Sequence, residues 1–404
     1  MKKLIAISVV FALIAGAAFA ADVSGEVFGK ITPLQGDTAK APAGQKGSGV
    51  QSSGEMKRIR VEASGEDDNG TFGGYIRIDK HPWWTSDWNA DLAVAGSEAA
   101  ILTGNVWWKP SEQFKFLIGG NGKDGFFGAD GITRWGFYQV AADGIGIAQE
   151  NWRFSRSFYQ GFDPLYSAIF TITPTEAVEV NIGIPFFSLS GTEAGTVNKD
   201  GQKDQMADKF KKTNFQFAYT IDGTGKFALT YKGDVMEGND QPKVFGYFNL
   251  TAIENLGVDI GIGFKFPGKD PSISNPISAG VGVAYNAGEF GVKARVQGTF
   301  GGEKSDPLAI DFDVLPYYAI SDTLTFFFDA GIYLAMPHQG DNAMGWHINP
   351  YITVKSSWWA PNFYAGLRIE NKYNPGSPDS DVSKPKGDDD VIKWSVPIGI
   401  VVHF

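Results

Sequence analysis

The chain contains no cysteine, so no disulfide framework is open to it and a small, loop-rich scaffold held by bridges is excluded. A large packed or closed structure has to supply the stability instead. Beyond the first twenty residues there is also no apolar run of the roughly 18 residues that a spanning helix needs. If the chain crosses a membrane, it crosses as strands. Basic charge is in the minority, with 35 Lys and Arg against 45 Asp and Glu and a formal net charge of −10. That balance argues against nucleic acid as a partner. Histidine is scarce, at His81, His338, His347 and His403. No G-x-S-x-G nucleophile motif occurs, no dense His/Asp/Glu spacing indicates zinc, and the acidic run at 388–390 reads as a solvated charge cluster rather than a calcium site. The expectation is a chain without catalytic residues, metal or cofactor.

What is abundant is glycine, at 51 residues, and aromatics, with 31 Phe, 14 Tyr and 11 Trp. That is a β composition. The opening "MKKLIAISVVFALIAGAAFA" has Lys2 and Lys3, an apolar stretch and the small-x-small site Ala18-Phe19-Ala20, the pattern of a secretory signal peptide over 1–20. No Pro/Ser linker divides the remainder of the chain, so 21–404 reads as one domain.

Period-two segments succeed one another along that domain. They cover 23–31, 55–63, 71–79, 99–108, 113–120, 165–173, 177–184, 212–220, 226–233, 243–251, 256–266, 277–285, 289–300, 309–320, 323–334, 345–355, 362–370 and 391–404. Their lengths suit tilted membrane strands of roughly 9 to 11 residues. The connections alternate: "KPSEQ", "TPTEA", "IDGTG", "AIEN", "NAGE" and "ISDT" are tight, whereas the links at 79–99, 120–165, 184–212 and 370–391 are long. An outer-membrane barrel sorts its loops in this way, with short periplasmic turns and long extracellular loops. The predicted fold is therefore all-β, a transmembrane antiparallel up-and-down barrel of about 18 strands, with about 16 as the rival count. Pro316, Pro350 and Pro397 fall inside proposed strands, where they mark bulges or strand ends and would shift boundaries or lower the count.

The faces fit this topology. In 212–220, Phe215, Phe217 and Tyr219 alternate with Asn214, Gln216 and Ala218; in 289–300, Phe290, Val292, Ala294 and Val296 alternate with Gly291, Lys293, Arg295 and Gln297. Aromatics gather beside the short turns, at Trp107, Trp108, Trp358, Trp359, Tyr285, Tyr317, Tyr318 and Phe404, as rings of an interfacial girdle would. The closing "IKWSVPIGIVVHF" keeps Phe404, Val402, Ile400, Ile398, Val396, Trp394 and Ile392 in one phase, an apolar face that has to meet core or lipid.

Signal peptide, unbroken hairpins, sorted loops, absent cysteine and a terminal aromatic strand together make the chain resemble a bacterial outer-membrane β-barrel porin of the general diffusion type. The resemblance implies an outer-membrane location among lipid and a water-filled channel for ions and small polar solutes. It also implies an assembly signal in Phe404, Val402 and Ile400, read by the outer-membrane assembly machinery. Trimerisation is common in such porins, and no homotrimer interface is legible in the sequence.

The inward phase places Arg58, Arg60, Arg77, Lys115, Lys232, Lys265, Lys293, Arg295 and Arg368 against Glu62, Asp79, Glu179, Asp259, Asp311, Asp313, Asp329 and Glu370. Such groups are too costly to bury dry, so water has to enter. The longest link, 120–165, sits where general porins carry an inward-folded constriction loop. Asp124, Asp130, Arg134, Glu150, Arg153 and Arg156 are its candidate charges, with a surface loop as the plainer reading. Nearly balanced charge predicts weak ion selectivity, tipped towards cations by the acidic loop at 378–390. Two alternatives stay open: a saccharide-selective channel using the ring-rich link, with Trp135, Phe137, Tyr138, Trp152, Phe154, Phe158 and Tyr159, and a surface adhesin.

Overall fold

The computed structural model describes residues 22–37, 51–80, 101–119, 167–185, 213–233, 242–266, 277–300, 308–336, 343–354, 363–371 and 392–403. These form β1 (Asp22–Asp37), β2 (Gln51–Glu66), β3 (Phe72–Lys80), β4 (Ile101–Ser111), β5 (Phe114–Gly119) and β6 (Ser167–Thr175). Then come β7 (Val178–Pro185), β8 (Asn214–Ile221), β9 (Gly225–Lys232), β10 (Lys243–Ile253), β11 (Leu256–Lys265) and β12 (Ile277–Ala287). The series ends with β13 (Phe290–Phe300), β14 (Leu308–Ala319), β15 (Leu324–Met336), β16 (Ala343–Val354), β17 (Phe363–Gly366), β18 (Arg368–Asn371) and β19 (Ile392–His403).

Each segment pairs antiparallel with its sequence neighbours, and β1 also pairs with β19 through Val27–Val402 and Ile31–Ile398. The sheet closes on itself, and no described strand is left as an open edge. β17 and β18 share one place, since both lie between β16 and β19. The nineteen segments therefore make an eighteen-strand barrel, and the 16-strand alternative does not hold.

The prolines explain the divided strand without lowering the count. Tyr351–Gly366 and His347–Glu370 keep one register on the β16 side, and Ala365–Ile398 and Arg368–Ser395 keep one on the β19 side. Pro350 thus faces Leu367, and Pro397 faces Gly366. The Leu367 amide donates to the Pro350 carbonyl at 2.9 Å, but proline returns no N–H. A ladder donor is lost on both flanks at adjacent residues, and the strand parts there. Pro316 leaves a milder mark: the β14–β15 pairing passes from Val314–Ala330 to Tyr317–Phe327 with no shift in register.

Short turns gather at one rim. At the β10–β11 turn Asn255 adopts φ 62°, a left-handed conformation that asparagine tolerates, and its carbonyl accepts from Asn286 N at 2.9 Å. Neighbouring hairpins are thereby tied at their turns.

The polarity of the barrel is inverted relative to a soluble protein. Large apolar side chains lie exposed on the outer face: Val106, Phe215, Phe217, Leu229, Ile260, Ile262, Phe312, Ile332, Ile400 and Val402. Many buried positions are polar, among them Asn181, Gln216, Thr230, Arg295, Asp313, Asp329, His347, Asn349 and Glu370, beside apolar ones such as Leu117, Phe245, Phe327 and Tyr364. In β8 the alternation is complete, with Phe215, Phe217 and Tyr219 exposed and Asn214, Gln216 and Ala218 buried. An exposed apolar belt around a closed sheet is matched to hydrocarbon, where every backbone group must be paired within the sheet.

Candidate functional site

The inner wall is where the polar chemistry collects. On β2 and β3, Tyr75 donates its hydroxyl hydrogen to Glu62 at 2.9 Å, and Arg77 Nε lies 3.7 Å from the same carboxylate. Further round the wall, Lys115 stands over the Trp107 ring at 5.1 Å, a cation–π contact. Along β6 to β9 runs a side-chain ladder in cross-strand register. Thr171 donates to Asn181 at 2.6 Å, Asn181 Nδ2 to Glu179 at 2.6 Å, and Gln216 Nε2 to Thr230 at 2.8 Å. Lys226 closes it, 3.3 Å from Glu179.

On the next two strands, β10 and β11, Asp259 accepts from Tyr247 at 2.7 Å and from Asn249 at 2.6 Å. Arg295 and Asp313 form a fully buried ion pair, with Nε donating at 3.0 Å. His347 Nε2 meets Asp329 at 3.1 Å, and Arg368 donates to Glu370 at 3.0 Å.

Asn249, Asp259, Arg295, Asp313, His347 and Glu370 belong to one continuous row. Cross-strand register carries it from Lys226 through Asn249, Asp259, Gly282, Arg295, Asp313, Gly331, His347 and Glu370 to Lys393. Lys226 adjoins a short turn and Lys393 a long link, so the row climbs the wall as strands staggered in a barrel require. Charge changes sign from Lys226 to Asp259, Arg295 and Asp313 along it, and Gly331 leaves the gap over which Asp313 and His347 lean: a Cβ there would overlap both. Opposite charges placed on neighbouring strands satisfy one another without an apolar partner.

Arg77, Lys115, Lys232, Asp259, Lys293, Arg295, Asp313, Asp329 and Arg368 all stand on the inner face, in phase with its buried residues. Arg60 pairs in register with Asp79, and Asp311 with Gln297; the side chains of Arg58, Arg60, Asp79, Asp311 and Lys265 lie outside the described ones. So do Asp124, Asp130, Arg134, Glu150, Arg153 and Arg156 of the long link, and Phe404. Val402 and Ile400 face outward, more than half exposed.

Two girdle expectations change. Trp107 and Tyr317 turn inward, each ring lying over a glycine of the adjacent strand, Gly73 and Gly291. Adjacent residues of a strand cannot share a face, so Trp108 and Tyr318 take the outer positions. Sequence reasoning also missed Lys226 and Lys243 on the inner face, although both are in phase with Thr230 and Phe245.

No protein-family model matches the chain, and no curated protein matches it. Its architecture is similar to the crystal structure of a BenF-like porin from Pseudomonas fluorescens Pf-5, with 10% identity, 95% of this chain and 99% of that one covered, and a TM-score of 0.52. The chain has the porin barrel fold. Other similar structures are OccAB1 of Acinetobacter baumannii, with 11% identity, 94% and 97% coverage and a TM-score of 0.49, and an anion-selective porin from Comamonas acidovorans, with 11%, 96% and 100% and 0.47. In this porin-type barrel, polar groups line the inside and lipid-compatible groups the outside.

Proposed function

We propose that this protein is a bacterial outer-membrane porin, a water-filled channel through which ions and small polar solutes diffuse passively. The observation that carries the reading is the inverted polarity of an eighteen-strand ring: exposed aliphatic and aromatic residues outside, paired charges and hydrogen-bonded amides inside. Barrels of about 16 to 18 strands are wide enough to leave an aqueous channel. Arg77, Lys115, Lys293, Asp259 and Arg368, half-buried on the inner face, then line the path, and their opposed signs give it weak ion selectivity. The same reading takes 1–20 as a removed leader, lipid as the partner of the outer belt, and the link at 120–165 as the constriction. The BenF-like porin shares the fold and supports a porin-type architecture; the solute is argued from this chain's own wall.

The test is current across a planar lipid bilayer after adding the refolded chain 21–404. Discrete, stable conductance steps are expected, with a reversal potential close to zero in a tenfold salt gradient. A well-folded barrel that never conducts would overturn the porin reading.

A further inference from the structure

Resting on the porin reading, we propose that the outer face of β5 to β9 docks against the same face of a second copy of this chain, and that the low height of this wall drives the contact. β8 and β9 have eight residues each, and their neighbours Thr213 and Gly233 lie outside the strands. Further round the barrel, β14 has 12 residues and β15 has 13. A strand of eight residues tilted by about 40° rises about 20 Å, whereas one of 13 rises about 33 Å. The apolar band of such barrels is about 25 Å tall. The wall at β8 and β9 therefore falls short of the hydrocarbon that β14 and β15 span.

Lipid beside a short wall has to thin, and oligomerising is the other way to relieve the mismatch. Two low walls set face to face remove lipid from both. The surface also suits a protein neighbour: Phe215, Phe217, Tyr219, Ile221, Phe227 and Leu229 point outward from the hairpin, each between 37% and 47% exposed. The Phe215 and Tyr231 rings stand 6.3 Å apart, and aromatic side chains are enriched where protein surfaces meet. With Ile118 and Ile172 of β5 and β6, 42% and 38% exposed, and about 200 Å² for each large side chain, the face presents roughly 700 Å² of apolar surface. Two copies would bury roughly 1,400 Å² between them, within the range of about 1,200 to 2,000 Å² that stable complexes bury.

The relief of the face is complementary to itself. Within a bilayer apolar burial gives no net drive, so close packing decides association, and small residues permit it. Ala168 lies on the outer face in register with Ile118 and Ile184, yet it is only 2% exposed. It is the floor of a hollow bordered by those two side chains and by Phe170, whose ring packs against Phe116 at 4.8 Å. Two strands away stands the ridge of rings on β8. A hollow beside a ridge is what two identical faces need in order to interlock.

The absence of cysteine makes the test direct. Phe217→Cys on the low wall and Phe312→Cys on the tall one, which is 45% exposed, are each refolded as chain 21–404 into phosphatidylcholine vesicles at low protein density and treated with a short bis-maleimide. A covalently joined pair is expected for Phe217→Cys, with at least fivefold less for Phe312→Cys. The Phe217→Cys yield should rise several-fold from short-chain to long-chain lipid, because a thin bilayer already matches the low wall. Should Phe217→Cys fail to refold, Leu229→Cys on the same face is read in its place. Equal yields at the two walls, a yield indifferent to acyl-chain length, or no joined pair at all, which would leave lipid alone against the low wall, each overturn the proposal. Crosslinking needs no current, so the two readings fail separately: a barrel that joins through the low wall and never conducts loses the porin reading, and one that conducts without joining loses the interface.

Discussion

Individual residues of the inner wall are held by partners whose removal has a definite sign. Arg295 and Asp313 are each about 2% exposed and face each other across β13 and β14. Taking away one partner leaves a buried charge uncompensated, at a cost of about 3 to 5 kcal/mol. Asp313→Asn should lower unfolding stability in denaturant titrations by that order, while Arg295→Leu/Asp313→Leu should recover most of it; a single variant as stable as the wild type would show the pair to be solvated. The glycine-ring contacts give a second case. Tyr364 is buried over Gly399 in direct register, and a Cβ on Gly399 would overlap the ring. Gly399→Ala should therefore cost about 1 to 3 kcal/mol by overpacking, and should be close to neutral when introduced into Tyr364→Ala. Equal costs in both backgrounds would mean the ring is not what the glycine accommodates. Neither arrangement was legible in the sequence, because both depend on which residue of one strand faces which of the next.

At the scale of elements, much more was legible. All eighteen strand positions follow from period-two alternation and turn chemistry, which are local properties. What the alternation settles strand by strand it settles correctly in β8 and β13, where Phe215, Phe217, Phe290 and Val296 face out and Gln216 and Arg295 face in. It misleads only where aromatics are read as a cluster instead of by phase: Trp107 belongs with Asn105, and Tyr317 with Asp313 and Leu315. The prolines were likewise visible, but not that Pro350 and Pro397 flank one strand from opposite sides. Restoring both amides in Pro350→Ala/Pro397→Ala supplies two ladder donors, each worth about 1 kcal/mol. Hydrogen exchange across 365–371 should slow by roughly tenfold, as about 1.4 kcal/mol would give. Unchanged exchange would mean that the parting at Leu367 has another cause.

For the whole molecule the deciding property is that inside and outside are different solvents, and charge substitutions separate them. Ile260 lies midway along β11 and is 45% exposed on the outer face, whereas Lys293 lies on the inner face of β13. A cation on the lipid side near the midplane costs about 2 to 4 kcal/mol, and a charge change on the water-filled side alters selectivity instead. Ile260→Arg should accordingly lower folding stability in lipid bilayers by that amount without moving the reversal potential of the barrels that do fold. Lys293→Glu should leave stability within about 1 kcal/mol and shift the reversal potential towards cations. A soluble β-protein with the same alternation would respond in the opposite sense, since its exposed face takes an arginine at little cost and its buried face does not. Measuring both variants by denaturant unfolding in lipid and by reversal potential in a salt gradient thus tests the inverted polarity on which the porin reading rests. If Ile260→Arg proves neutral while Lys293→Glu unfolds the chain, the outer face meets water and the barrel is not a membrane pore.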